Sequence, residues 1–81
     1  MPEIMEGMQM TYGEKAVGLN FNPSGDWKVR RIKELYAEII DTMNNLRDSE
    51  ATPEQKRLAS VAITEAQTAQ MRAVKALTRK D

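Results

Sequence analysis

Thr52-Pro53-Glu54-Gln55 decides the fold of this chain, because it marks where a long second helix begins. Thr is a common N-cap residue, and Gln three residues after it completes a capping box. Pro is favoured at the first helical position, because its missing N–H would have no partner within the helix. No Gly or Pro follows, so the pattern predicts a helix that continues to about Arg79. At 1.5 Å per residue this helix would span roughly 40 Å.

The preceding stretch, residues 27–46, has the periodicity of a helix with one apolar face. Its apolar residues recur at spacings of three and four, as in a coiled-coil seam. They are Val29, Ile32, Tyr36, Ile39, Met43 and Leu46. Ser24 or Asp26 can cap the start of this helix, which we expect to run from about Gly25 to about Arg47.

Only about five residues, 48–52, join the two predicted helices, so the helices should lie antiparallel. One face of the second helix carries alanine at helical spacing: Ala59, Ala62, Ala66, Ala69, Ala73 and Ala76. Because alanine removes side-chain bulk between the axes, we expect this row to pack closely against the first helix.

A second row on the same helix would stay partly exposed in a hairpin of two helices. It consists of Ile63, Gln67, Gln70, Val74 and Leu77. Leu35 and Ile40 are similarly placed on the first helix, so we expect other copies of the chain to cover these residues. The prediction is an all-α protein, a helical hairpin (residues 25–80) assembled as a homo-oligomer.

Residues 1–24 should form a short irregular or helical N-terminal segment that leads to the hairpin. Met5, Met8 and Met10 could lie on a short helix begun by Pro2, although Gly7 weakens this interpretation. Gly13 and Gly18 flank residues 14–17, which we interpret as a turn and an extended segment.

The composition excludes several classes of site. Twelve Lys and Arg balance twelve Asp and Glu, so no general attraction to duplex nucleic acid is expected. The absence of Cys and His removes disulfides, thiolate and imidazole metal ligands and the commonest general base. Apolar runs are short and no signal-peptide pattern is present. We expect a soluble intracellular protein that is not an enzyme, with no catalytic residue, metal site, cofactor or membrane contact.

Antiparallel pairing should bring basic residues from both helices to one end of the hairpin. They are Lys28, Arg30, Arg31, Lys33, Arg72, Lys75, Arg79 and Lys80. Cations at the start of the first helix face the positive end of its dipole. A bound anion would offset this repulsion, because free amide groups at a helix N-terminus, preceded by a loop with Gly25, form a phosphate site.

The loop before the first helix suits a nucleotide. We call residues 21–25 (Phe-Asn-Pro-Ser-Gly) the Phe21 loop. Its aromatic ring offers a surface for base stacking, with Tyr12 or Trp27 as further candidates, its Asn and Ser offer hydrogen bonds, and its Pro stiffens the turn. The same residues would also serve as a plain turn and cap, so the residues alone leave both interpretations open.

Several stretches together resemble a known family. They are Gly13-Glu14-Lys15-Ala16-Val17-Gly18, Phe21-Asn22-Pro23-Ser24-Gly25, Ile32-Lys33, Ile39-Ile40-Asp41 and Met71-Arg72-Ala73-Val74-Lys75-Ala76-Leu77-Thr78-Arg79. Over about residues 12–80 the chain is similar to the phage anti-CBASS sponges and the related Thoeris anti-defence sponges. The combination of the Phe21 loop with the closing Ala-Val-Lys-Ala-Leu-Thr-Arg segment is the specific part of this match.

The resemblance implies a phage protein that acts in the cytoplasm of the infected bacterial host. It would sequester cyclic oligonucleotide messengers, cyclic dinucleotides such as cGAMP or cyclic trinucleotides, without cleaving them, and so block activation of CBASS effectors. Family members form homo-oligomers, typically hexamers, with pockets shared between protomers. The ligand contacts that the resemblance implies in this chain are Tyr12, Phe21, Asn22, Pro23, Ser24, Gly25, Lys28, Lys75, Thr78 and Arg79.

Two positions depart from the family pattern. Arg72 stands where an aromatic residue is common, and Trp27 stands where a smaller or polar residue is common. Both changes alter stacking near the predicted pocket and so bear on ligand choice. Two alternatives stay open: a sponge for the cyclic ADP-ribose isomers of Thoeris immunity, and a structural hairpin that docks on an acidic protein partner.

Overall fold

The computed structural model describes residues 9–80. This range contains three α-helices and no strand: α1 (Tyr12–Val17), α2 (Trp27–Arg47) and α3 (Pro53–Thr78). The two long helices pack along each other as the predicted hairpin, and α1 packs mainly against α2. The helix predicted to begin at Pro2 lies outside the described residues. None of the helices within residues 9–80 combines the length and apolar character that crossing a membrane requires.

The turn between the long helices confirms the predicted start of the second one. The Thr52 hydroxyl accepts a hydrogen bond from the Gln55 amide at 3.1 Å, and the Gln55 side chain accepts one from the Thr52 amide at 2.8 Å. At the other side of the turn, the Ser49 hydroxyl donates to the Leu46 carbonyl at 2.6 Å. Both helix ends thus have partners for groups that the helices themselves leave unpaired.

The prediction of a turn and an extended segment at residues 14–17 is wrong, because these residues belong to α1. Thr11 and Glu14 form a second capping box, in which the Thr11 hydroxyl accepts from the Glu14 amide at 3.0 Å. The helix ends at Gly18, which has a left-handed φ of 64°. The Thr-x-x-Glu spacing was visible in the sequence, but only six residues separate the two caps.

Gly13 lets α1 approach α2 closely. Its amide donates to the Asp41 carboxylate at 2.6 Å. A Cβ at this position would lie 2.9 Å from the carbonyl carbon of Ala37, which is closer than real Cβ contacts allow. A residue without a side chain is therefore required where the two backbones meet.

The buried residues of α3 coincide only in part with the predicted alanine row. Ala59 of that row is buried and Ala76 is exposed, while the other buried residues, Ile63 and Gln70, come from the row that was expected to stay partly exposed. The core cluster contains residues from all three helices and the segment after α1: Val17, Leu19, Ala37, Ile40 and Ile63. Because α1 and the segment after it cover one side of the hairpin, the packed face of α3 turns toward the row that was expected to stay partly exposed.

The buried stripe of α2 is displaced in the same way. Ile40, expected on the exposed side, is completely buried, while Ile39, expected in the seam, is 49% exposed. The centre of the packed face runs through Lys33, Ala37 and Ile40, with Val29 at its start. Leu35 is exposed as expected, so an apolar strip remains on the side of α2 away from α1.

Thr52→Ala should destabilise the hairpin without changing its fold. Removing the cap hydroxyl leaves the Gln55 amide without its partner, and we expect a loss of about 1 kcal/mol in the free energy of unfolding. Urea unfolding followed by circular dichroism, at one fixed protein concentration, measures this loss. Thr68→Ala, which removes an exposed hydroxyl in the middle of α3 that donates to the Thr64 carbonyl of the same helix, is the control for a generic effect of losing a polar group. An unchanged unfolding midpoint in Thr52→Ala would contradict the role of the capping box.

Candidate functional site

The Phe21 loop is held by hydrogen bonds between its own residues. The Asn22 side-chain amide donates to the Asp26 carbonyl at 3.1 Å, and the Ser24 hydroxyl donates to the Asn22 side-chain oxygen at 2.9 Å. The Gly25 amide donates to the Asn22 carbonyl at 3.1 Å, and Gly25 has a left-handed φ of 70°. The side chains predicted to bind a ligand by hydrogen bonds are therefore engaged in shaping the loop, with Pro23 exposed at its tip.

The start of α2 already holds an anionic group of the protein itself. The Asp26 carboxylate caps the helix and accepts from the Lys28 amide at 2.8 Å. Ser24, the other predicted cap, instead accepts from the Asp26 amide at 3.2 Å. The sequence led us to expect a bound anion at these free amides. In the structure, the Asp26 carboxylate offsets the helix dipole in the place of that anion.

Lys33 makes two contacts with Phe21 of the Phe21 loop and one with Gly18, the C-cap of α1. Its ammonium group donates to the Gly18 carbonyl at 3.0 Å and also to the Phe21 carbonyl. The same group lies 5.5 Å from the centre of the Phe21 ring, within the range of a cation–π contact. Although Lys33 is only 5% exposed, the ring above it is 70% exposed. Burial lowers the pKa of the Lys33 ammonium group.

The predicted basic end is therefore smaller than the sequence suggested. Lys33 is buried and does not add to the surface charge. Arg30 and Arg31 both lie against the Glu34 carboxylate, at 3.3 and 3.4 Å. Lys28 is exposed at the start of α2.

A groove separates the Phe21 loop from the C-terminal part of α3. It has a volume of about 230 Å³ and is lined by Phe21, Asn22, Pro23, Ser24, Val29, Lys33, Val74 and Thr78. Its walls are mainly apolar. The last turn of α3 contributes Thr78, whose hydroxyl donates to the Val74 carbonyl at 2.9 Å. Antiparallel pairing thus brings Thr78 to the loop, as the sequence predicted.

A wider depression continues this groove toward the end of the chain. Ser24, Asp26, Leu77, Thr78, Arg79 and Lys80 line it. Arg79, the C-cap of α3, is therefore the second predicted contact that the structure brings to the loop from this end of the chain. Within residues 9–80 no group of acidic side chains is arranged to hold a metal ion.

Two predicted contacts lie elsewhere on the protomer. Lys75 lines a separate depression with Thr68, Met71 and Arg72, on a neighbouring face of α3. The Tyr12 ring lies 5.4 Å from the Arg47 guanidinium, at the last residue of α2, whereas the Phe21 loop precedes the first residue of that helix. Within one protomer the structure does not join either residue to the loop.

Lys33 is the residue of this site that the sequence interpretation placed wrongly. It was counted with the exposed cations of the basic end, yet it lies four residues after Val29 and four before Ala37, both of which are buried. This spacing puts Lys33 on the packed face of α2. The burial of Lys33 could have been inferred from one sequence feature, namely a charged residue on an otherwise apolar helix face.

Comparison with known proteins assigns the chain to a family. The family model described as "Acb2/Tad1, hairpin domain" matches residues 14–78, which include the Phe21 loop and all of α2 and α3. No curated protein and no solved structure matches the chain. Because the match covers far more than half of the chain, this protein belongs to the Acb2/Tad1 hairpin family of anti-CBASS and Thoeris anti-defence sponges.

Proposed function

We propose that this protein binds and sequesters cyclic oligonucleotide messengers, namely cyclic dinucleotides such as cGAMP and cyclic trinucleotides, without cleaving them. The messengers would then be withheld from CBASS effectors in the cytoplasm of the infected bacterium. Such a sponge acts by mass action, so its effect depends on its affinity and concentration relative to those of the effector. Membership of an anti-defence sponge family supports this role.

The exposed ring of Phe21 beside the groove is the observation that carries the proposal. A ring that is 70% exposed is available to stack on a base, and such stacking tolerates any base because every base has a π face. The apolar groove wall formed by Val29 and Val74 would cover the other side of a bound nucleotide. A plain turn and cap needs no such ring.

Positive charge lies where the phosphates of a stacked nucleotide would extend. Arg79 and Lys80 line the depression that continues the groove, and Lys28 is exposed on the first turn of α2. A cyclic dinucleotide carries two phosphate charges, which these cations would neutralise. The Thr78 hydroxyl, which donates its proton to the Val74 carbonyl, would accept a hydrogen bond at the junction of groove and depression.

Retention of the ligand without cleavage is consistent with the residues of the chain. Phosphodiester hydrolysis needs a group that activates water or another nucleophile. The chain has no His and no Cys, and Lys33, a buried amine beside the groove, is engaged with two carbonyl groups. We therefore propose binding alone.

The site is also proposed to be completed by other copies of the chain, in a homo-oligomer such as a hexamer. The groove volume of about 230 Å³ lies below the roughly 300–1,000 Å³ that is usual for ligand pockets. Apolar side chains remain exposed on both long helices, among them Leu35, Ile39, Leu58, Val61 and Met71. Covering them with a second protomer would bury apolar area and enlarge the site at once.

A retention assay tests the proposed function. The protein is mixed with a panel of cyclic dinucleotides, cyclic trinucleotides and cyclic ADP-ribose isomers, filtered, and heated to release what it holds. We expect an unaltered cyclic dinucleotide in the heat-released fraction. Recovery of only a cyclic ADP-ribose isomer would assign the Thoeris branch of the family. If every compound passes the filter, the sponge proposal fails, and a cleaved product would refute binding without catalysis.

Substitutions at Phe21 test the stacking role. Loss of a base–aromatic contact costs about 1–3 kcal/mol, so Phe21→Ala should weaken binding of the retained compound by roughly 5- to 150-fold. Phe21→Leu keeps an apolar side chain without a π face and should behave like Phe21→Ala. Phe21→Tyr keeps the ring and should stay close to the unchanged protein. Titration calorimetry measures all three, and equal affinity of the Leu and Tyr variants would exclude stacking.

Sedimentation tests the proposed oligomer. We expect a mass of several chains at micromolar concentration, because the exposed apolar strip of α2 would otherwise face water. Leu35→Glu, which places a charge on that strip, should shift the mass toward one chain, whereas Thr42→Glu, on the exposed polar surface of the same helix, should not. A wild-type mass equal to one chain would refute the oligomer.

A further inference from the structure

We propose that Lys33 is the positioning residue of this site: by binding the Gly18 and Phe21 carbonyls, its ammonium group sets where the Phe21 ring stands at the groove. The inference rests on the proposed function, since it assigns how the stacking ring of that site is presented. In this role Lys33 acts through Phe21 and does not need to contact the ligand, whereas Lys28 and Arg79 are proposed to contact it directly.

The surroundings of Lys33 are unusual for a lysine. Its side chain is buried, and among residues 9–80 no carboxylate lies within ion-pairing distance of it. Burial of an unpaired ammonium group is costly, so such groups need strong compensating contacts. The compensation here consists of two carbonyl oxygens and an aromatic face. All three belong to the segment that runs from the end of α1 to the Phe21 loop.

The two carbonyls belong to one tight turn. The Phe21 amide donates to the Gly18 carbonyl at 2.9 Å, and the Lys33 ammonium group joins the Gly18 and Phe21 carbonyls from below. Gly18 is also the C-cap of α1, where carbonyl groups carry partial negative charge that favours a cation. One charged group thus ties the end of α1 and the backbone of Phe21 to the N-terminal half of α2.

The side chain of Phe21 is largely exposed. Its 70% exposure means that few packing contacts limit its rotation, so the bonds of Lys33 to its backbone and the contact with its face have a large share in its orientation. A ring that is held before the ligand arrives loses less conformational entropy on binding. An apolar residue at position 33 would fill the space but would not hold the carbonyls together.

A direct role of Lys33 in binding phosphate is the competing interpretation, because Lys33 also lines the groove. An ammonium group has three N–H donors. Two of them go to carbonyl oxygens, and the ring of Phe21 stands over the group. This arrangement favours positioning, and two neutral substitutions separate the two roles.

The test compares Lys33→Met, which removes charge and donors, with Lys33→Gln, which removes the charge but keeps amide donors. Cyclic GMP–AMP is the probe, titrated at a temperature where circular dichroism shows each variant folded. We expect Lys33→Met to weaken affinity at least about tenfold through lost pre-organisation, and Lys33→Gln to recover to within about threefold of wild type. Thr52→Ala, destabilised at the far end of the hairpin, should bind like wild type.

Three outcomes of this titration overturn the proposal. Equal loss in the Met and Gln variants would assign a phosphate contact that needs the charge. Unchanged affinity in Lys33→Met would leave Lys33 with a structural role only. An additional large loss when Lys33→Met is combined with Phe21→Ala would show that Lys33 does not act through the ring, because residues that act together are not additive.

A measurement without ligand keeps the inference separate from the proposed function. Amide hydrogen exchange at Phe21 and Gly25, followed by NMR, reports how firmly the loop is held. We expect Lys33→Met, or Lys33→Gln to a smaller degree, to accelerate exchange at both amides, while Thr52→Ala leaves it unchanged. Unaltered exchange in both Lys33 variants refutes positioning. If wild-type protein binds no probe but the loop amides respond, the proposed function fails and the positioning role stands.

Discussion

The short connection between α2 and α3 is the constraint on which the rest of the structure depends. Two helices of 21 and 26 residues that are joined by only five residues must fold back on each other. The last turn of α3 then meets the segment that precedes α2. Residues more than fifty positions apart in the chain, such as Phe21 and Thr78, line one groove for this reason.

Several charged side chains at this end of the hairpin interact with other groups of the protein itself. The Asp26 carboxylate caps α2, and the Glu34 carboxylate pairs with two arginines. The Lys33 ammonium group donates hydrogen bonds to backbone carbonyls. The features that line the proposed site are narrower than a basic surface: the exposed side chain of Phe21, an apolar groove, and Arg79 and Lys80 in the depression that continues the groove. This combination is the basis of our proposal that the ligand carries both a flat base and a phosphate.

The sequence predicted features that depend on a strong local pattern of residues. It missed features that depend on how the helices pack against each other. The capping box at Thr52 marks a helix start by chemistry that needs no neighbour. Gly13 and Lys33 acquire their roles only through α1, because one needs the backbone of Ala37 close by and the other needs the carbonyl groups of a turn. Tyr12 was placed beside the loop by its position in the sequence, yet α1 carries it toward Arg47.

The sequence by itself determined the two long helices, their caps and their antiparallel arrangement, since these follow from periodicity, side-chain capping and the length of one connection. Only the tertiary structure decided which faces of those helices are buried. With α1 docked, Ile40 rather than Ile39 is buried on α2, and on α3 Ile63 and Gln70 are buried beside Ala59 of the alanine row. Periodicity defines the buried face of a helix only to within about one residue. The element that selects among neighbouring faces is α1, which lies outside the hairpin.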